Sequence, residues 1–360
     1  MTELAALTQE VLGAFFLGGL LLGVISQRTH FCTMGAISDV VNMGDWTRAR
    51  QWMCAIGVAM IGFAALSDFG WIDPSQTLYA STRLMWLSAL VGGLMFGYGM
   101  VIASGCGNKT LVRMGGGNLK SVVVFVVMGI SAFTSMKGIT AVLRANTVDT
   151  VFVDMPAGAN LSALGIPNLG YILGVVLVLW VLRHKDFWTF DSLLAGLGVG
   201  GLVVAMWCVS GHLGFVQEHP QTLDSVYLGT NSGRIEALNF VAPVAYTLDW
   251  LMFYSDATKV LTTGVAAVSG VIVGSAVSAL QSHTFRWEGF ANPRDLGQHL
   301  LGSVLMGVGG VTAMGCTIGQ GLSGISTLSL NAVIAVAAIV LGAVVSLLQQ
   351  AARLERTACE

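Results

Sequence analysis

The chain has 360 residues, 54% of them hydrophobic and only 10% charged, with a mean hydropathy of +0.76. Soluble globular domains carry about 25% charged residues, so this composition excludes one and defines an all-α polytopic membrane protein. With 17 basic against 19 acidic residues, no bulk field recruits nucleic acid or acidic partners, and no nucleic-acid partner is expected.

The opening stretch, MTELAALTQEVLGAFFLGGLLLG, is apolar, carries acids and lacks a basic flank. The GVISQRTHF after it offers no small-residue cleavage site, so the stretch reads as a first span and not as a removed signal peptide. Apolar runs able to cross about 30 Å of hydrocarbon need about 20 residues. They fall near 9–26, 51–67, 84–104, 121–142, 168–182, 192–208, 260–281, 298–315 and 328–349, about nine in all. The stretch 238–254, LNFVAPVAYTLDWLMFY, contains Pro243 and Asp249. It stays open between a tenth span, a re-entrant piece and a surface helix.

Placing the N-terminus outside puts Arg28, Arg48, Arg50, Lys109, Arg113, Lys120, Arg183, Lys185, Arg286, Arg294, Arg353 and Arg356 inside, twelve of the 17 cations. Arg83, Lys137, Arg144, Arg234 and Lys259 fall outside. This bias predicts a protein of the inner (plasma) membrane with its N-terminus out and its C-terminus cytoplasmic.

Residues 92–121 align without gaps on residues 302–331, matching Gly92, Gly97, Gly99, Gly105 and Cys106 to Gly302, Gly307, Gly309, Gly315 and Cys316. A weaker echo joins 27–40 to 204–216 and places Cys32 opposite Cys208. The expected organisation is an N-terminal half at 1–167, a connecting helix at 168–190 and a C-terminal half at 191–360, with an insertion near 220–255. Four spans per half and one connector predict an inverted-topology repeat around a central path.

Cysteine-bearing spans here are short and run into CTMGAISDV, CGNKTLVRMGGG and CTIGQGLSGIST, which are too polar and glycine-rich to face lipid. Irregular backbone at membrane depth is tolerated only inside protein or around a cavity, so re-entrant half-helices are expected. Their N-termini leave unpaired amides that suit an anion. A thiol touches an anion weakly, as passage requires, and prefers sulfur or selenium to chloride. Cys32, Cys106 and Cys316 are the primary candidates, with Cys208, Asn108, Lys109, Arg113 and Gln320 secondary. For Lys109 and Arg113 a topological role is the competing reading; for Asn108 and Gln320 it is capping or packing.

Other chemistries lack their residues. The six cysteines show no C-x-x-C or zinc spacing, so neither a disulfide framework nor a metal site is expected. Within the nine principal runs Asp, Glu, Lys and Arg are confined to Glu10 and Lys137, each toward the end of its run, so the acids or bases of an intramembrane proton relay are not expected. The histidines sit in loops or at span edges, and there is no P-loop. No cofactor is expected.

HFCTMGA, ASGCGNKTLVR and MGCTIGQGLSG, on this glycine-rich polytopic chain, resemble the YeeE/YedE family of sulfur-transport membrane proteins. The resemblance implies thiosulfate uptake rather than enzymatic turnover, with Cys32, Cys106 and Cys316 passing the ion by S–H to sulfur hydrogen bonds. It also implies a separate soluble sulfurtransferase of the TusA type as partner. Transport of another sulfur or selenium species, a membrane sulfurtransferase or oxidoreductase using a persulfidated cysteine, and a receptor for sulfur-carrier proteins are the alternatives.

Overall fold

The computed structural model describes residues 2–156, 158–161, 168–218, 223–256 and 258–359; part of the 1–167 half and of the 220–255 insertion lies outside them. The N-terminal part contains α1 (Thr2–Thr29), α2 (Thr33–Met43), α3 (Thr47–Asp68), α4 (Trp86–Ile102), α5 (Gly107–Gly115), α6 (Leu119–Lys137) and α7 (Ile139–Asn146). Then come α8 (Leu169–Leu182), α9 (Phe190–Leu193) and α10 (Val199–Cys208). A continuous helical rod over Phe190–Leu213 joins α9 to α10 and includes π turns at Leu194–Gly198 and Val209–Leu213. The chain closes with α11 (Val241–Met252), α12 (Thr263–Gln281), α13 (Pro293–Thr312), a π-helical segment at Gly319–Gly324, and α14 (Leu330–Cys359). Strand among the described residues is limited to two antiparallel pairs of two residues, Arg83–Leu84 with Val153–Asp154 and Phe215–Val216 with Val226–Tyr227.

Seven of the described helical stretches are long and apolar enough to cross a membrane. Of the nine apolar runs in the sequence, 168–182 corresponds to the shorter α8 of 14 residues. The run 298–315 corresponds to α13, which is polar in its first turns and stands outside that set. The ambiguous stretch 238–254 forms α11, and at about 1.5 Å per residue its 12 residues fall well short of the bilayer. Its Asp249 is compensated by Lys259 at 2.6 Å.

Glycine decides how the central helices meet. A Cβ added at Gly92 would stand 2.7 Å from the Gly309 carbonyl oxygen, and one at Gly309 would stand 2.7 Å from that of Gly92. Gly99 and Gly302 repeat the relation at 2.7 Å in both directions. Helices α4 and α13 therefore cross antiparallel, backbone on backbone, through reciprocal contacts that only small residues permit.

The ion pairs respect the two sets of cations. Arg28–Asp191, Arg48–Asp39, Arg50–Asp186, Lys120–Asp295 and Lys120–Glu288 lie within the larger set. Arg83–Asp154, Arg144–Asp149 and Lys259–Asp249 lie within the smaller.

Candidate functional site at three chain breaks

Each primary cysteine occupies the same local geometry. The residue two positions before it takes the left-handed conformation: His30 at φ 54° before Cys32, Ser104 at 59° before Cys106, and Met314 at 58° before Cys316. At the latter two the preceding helix closes with a Schellman motif. Gly105 N bonds Met100 O at 2.8 Å and Ser104 N bonds Val101 O at 3.1 Å; Gly315 N bonds Gly310 O at 2.8 Å and Met314 N bonds Val311 O at 3.0 Å. The cysteine then stands at the N-terminal end of a short helix. Cys32 Sγ accepts from Gly35 N at 3.5 Å and Cys316 Sγ from Gly319 N at 3.3 Å. Cys106 makes no capping bond of ordinary geometry, and its thiol lies within reach of the Lys109 amide, the equivalent position three residues on. All three are buried.

The breaks converge. The Cys32 and Cys106 thiols interact directly, and the Cys106 thiol also lies against the Thr317 hydroxyl, one residue from Cys316. Thr317 Oγ1 makes no hydrogen bond of ordinary geometry there, so this contact is one of proximity. Phe31, next to Cys32, stacks on Trp52 with centroids 4.6 Å apart. A Cβ at Gly321 would stand 3.3 Å from the Trp52 ring, so Trp52 wedges the first break against the third.

The secondary candidates have distinct positions. Asn108, buried, donates from Nδ2 to Ser26 Oγ at 3.4 Å and ties α5 to α1. Its Oδ1 has no partner, and neither has Gln320 Oε1. Arg113 Nη1 donates to the Ser104 carbonyl at 2.7 Å and Gln320 Nε2 to the Ala313 carbonyl at 2.6 Å, so each satisfies an orphan acceptor where a helix ends. Lys109 lies within electrostatic reach of Cys32, Cys106, Arg113 and Arg48, and His30 within reach of Lys109 and Arg48. Lys109, Arg113 and Arg48 place positive charge on one side of the thiol pair, Arg48 being also paired with Asp39 at 3.0 Å.

Two details depart from the sequence reading. Cys208 is not at a break: it sits half-buried inside the Phe190–Leu213 rod at φ −63° and ψ −45°, because the helix runs through the polar SGHL in a π turn instead of stopping. The 210-residue offset also does not persist to 331. Asn118 caps α6 at Leu119, whereas α14 begins at Leu330, an offset of 211. The π segment Gly319–Gly324 absorbs the additional residue. Lys109 thereby becomes the counterpart of Gln320, and both side chains lie over the glycine of their break, Gly105 and Gly315.

The 71–84 and 228–240 segments supply residues that sequence reasoning missed. Leu78 N bonds Ile235 O at 3.0 Å and Ile235 N bonds Gln76 O at 3.0 Å, and this draws the 71–84 and 228–240 segments together. Ile235, Leu238 and Phe240 are fully buried, and Ser323 Oγ donates to Leu238 O at 2.9 Å. A cavity of about 120 Å³ results, lined in part by Tyr79, Glu236, Asn239 and Tyr246. Tyr79 interacts with Ser323 and lies in reach of Cys316, and Asn239 Oδ1 would stand 2.8 Å from a Cβ at Gly319. The buried hydrophobic spacing of ILF around Glu236 and Asn239 was the available signal.

Substituting Gln320→Ala removes the donor from a buried carbonyl, a loss of about 1–3 kcal/mol. A thermal scan of the purified protein in detergent is expected to show a melting temperature several degrees lower; an unchanged midpoint contradicts the capping role.

Short helices that begin at buried cysteines, with cations near the thiol pair, lie inside a helical chain with seven apolar stretches able to cross a membrane, which defines a multi-pass membrane protein. The chain belongs to the sulphur transport family, whose signature matches residues 28–345. It is 29% identical over 315 residues to the thiosulfate transporter TsuA of Escherichia coli (strain K12), covering 84% of each chain. With the thiosulfate transporter TsuA of Spirochaeta thermophila it shares 26% identity over 340 residues, 90% of this chain and 94% of the relative. A shorter match, 30% over 112 residues, covers 31% of this chain and 26% of the probable transporter YedE of Escherichia coli (strain K12). The family and these relatives are transport proteins, not enzymes.

Proposed function

We propose that the chain takes up thiosulfate across the inner membrane, and that the ion passes Cys316, Cys106 and Cys32 in turn. The observation that carries this reading is the convergence of three buried cysteines at short-helix N-termini, two thiols in contact and the third one residue from the hydroxyl beside them. Both full-length relatives are named thiosulfate transporters, which supports the choice of ion.

The chemistry follows from weak contacts in series. Each helix N-terminus presents amides and about half a positive charge. Each thiol donates an S–H to the anion and releases it readily, because sulfur is a poor hydrogen-bonding atom. Lys109, with Arg48 and Arg113 near it, draws the dianion off the Cys32–Cys106 pair toward the larger set of cations, which we assign to the cytoplasmic face. Asn108 and Gln320 hold the breaks in shape and offer amide groups to the path; Cys208 stands aside. On this reading the halves 1–167 and 191–360 are inverted copies joined by 168–190, which the reciprocal α4–α13 glycine contacts support. The N-terminus is outside, lipid surrounds the helices, and a separate TusA-type sulfurtransferase receives the sulfur.

Cells lacking other sulfate and thiosulfate importers test the cargo. Labelled thiosulfate is expected to accumulate, and excess unlabelled thiosulfate to compete far better than sulfate, sulfite or selenite. Equal competition by selenite moves the reading to a selenium carrier, and covalent sulfur on a cysteine by intact mass without accumulation moves it to a sulfurtransferase.

A further inference from the structure

Glu236 is out of place at the mouth of an anion path. It lies in the segment between Val226–Tyr227 and α11, outside the spanning helices, and its backbone N–H donates to Ser210 Oγ at 3.0 Å. Its side chain lines the cavity that reaches Tyr79 and Asn239, and through them the helix of Cys316. Oε1 accepts from the Ser232 amide at 3.1 Å and from the Ser232 hydroxyl. Among the described residues no cation pairs with it. Arg234, two residues earlier, donates to the Ala80 carbonyl at 2.9 Å, and Lys259 is engaged by Asp249.

An ionised carboxylate in this position repels a dianion across a cavity too small to screen the charge. We propose that the charge on Glu236 controls entry: the anion passes Tyr79 and Asn239 when the Glu236 carboxyl holds its proton, and is turned back when it does not. The inference rests on the transport reading above and adds to it a residue that decides when transport occurs.

The groups facing Glu236 leave it as the one that titrates. Tyr79 from the 71–84 loop and Tyr246 from α11 are in reach, as are Ser232 on its own segment and Ser210 from the π turn, while Asp249 faces Tyr246 and pairs with Lys259. Burial pushes the Glu236 carboxyl above the usual carboxylate range, while the Ser232 bonds oppose that shift. The tyrosines stay neutral near neutrality, because burial raises them too. The sign is then definite. Acidification protonates Glu236 and opens the mouth; above its titration the protonated fraction falls about tenfold per pH unit. Thiosulfate stays a dianion throughout.

The test is the initial rate of labelled thiosulfate uptake into liposomes holding the purified full chain, from about pH 5.5 to about pH 7.5, with equal pH on both sides. Wild-type uptake is expected to fall at least about fivefold as pH rises through this window. Glu236→Gln is expected to flatten the profile and to transport faster than wild type at the alkaline end. Ser232→Ala, which removes a bond favouring the ionised form, is expected to move the midpoint to higher pH. A flat wild-type profile with sound uptake overturns the inference and leaves the transport reading standing. So does a Glu236→Gln slope like wild type, or an unshifted Ser232→Ala midpoint if Glu236→Gln does not fold. Uptake no better than empty liposomes at every pH overturns the transport reading and this inference with it.

Discussion

Cys106→Ala is expected to lower thiosulfate uptake by at least about tenfold, equivalent to about 1.4 kcal/mol in the barrier to passage, with folded protein near its wild-type level. Cys106 separates conduction from folding better than either of the other two cysteines. Cys32 and Cys316 accept amide bonds from their own helices, so their replacement removes a cap along with a thiol. Cys106 makes no capping bond of ordinary geometry, and its sulfur lies against Cys32, Thr317 and the Lys109 amide. Truncating it removes one buried sulfur, about 1 kcal/mol of stability by apolar burial alone, and breaks the thiol contact that joins the first two breaks to the third in the proposed path. The measurement is labelled thiosulfate uptake by cells lacking other importers, normalised to membrane protein. Wild-type uptake by this variant contradicts a thiol relay through Cys106.

Gly97→Ala is expected to be strongly damaging where α4 meets α14. An added Cβ would stand 2.0 Å from the Ile339 carbonyl oxygen, 2.8 Å from its carbon and 3.0 Å from Ala343 N. All three are backbone atoms of α14, so no side chain can swing aside and α4 must move away from α14. Overpacking of this kind costs about 1–3 kcal/mol, with more when backbone is the obstacle. Gly13→Ala is the control: nothing lies within 4 Å of its added Cβ, and exchanging glycine for alanine within a helix gains about 1 kcal/mol. Thermal scans in detergent are expected to show a much lower midpoint for Gly97→Ala and an equal or higher one for Gly13→Ala. The same midpoint for both would mean that α4 and α14 are not in backbone contact.

The features legible in the sequence were those with strong local signatures. Hydropathy marked the helices. Glycines in register with Cys106 and Cys316 marked the two segments that share a Schellman ending and a left-handed residue, because close approach and tight reversal both demand particular residue types. What escaped depended on geometry that sequence does not encode locally. His30, Ser104 and Met314 adopt positive φ without being glycine, so the shared conformation of the three breaks was invisible as a motif. The π turn at Gly319–Gly324 is a change of hydrogen-bond partner within an apolar glycine-rich run, and no composition announces it. Cys208 occupied a matching position in the weak echo, yet an uninterrupted helix carries it past the break that Cys32 has. Glu236 and Asn239 are half-buried loop residues whose place near the helix of Cys316 comes from Ile235, Leu238 and Phe240 being drawn into the core by distant partners.

These differences shift weight within the candidate set. Arg113 and Gln320 act first on their own breaks, closing the carbonyl ends of α4 and α13. Lys109 remains the cation beside the thiol pair, and its counterpart across the two segments is the uncharged Gln320. The charge asymmetry therefore sits at Lys109 and Arg113, whose counterparts in the second segment are uncharged: cations lie near Cys32 on one side, and Tyr79 and Asn239 near the helix of Cys316 on the other.

The central claim is that this chain alone conducts thiosulfate. Purified protein reconstituted into liposomes, with no sulfurtransferase or other protein present, provides the most direct measurement. Labelled thiosulfate is predicted to accumulate inside well above the level of empty liposomes, to equilibrate with added unlabelled thiosulfate, and to do so far more slowly through Cys106→Ala. Accumulation no greater than in empty liposomes, from protein that is folded by its thermal transition, contradicts it.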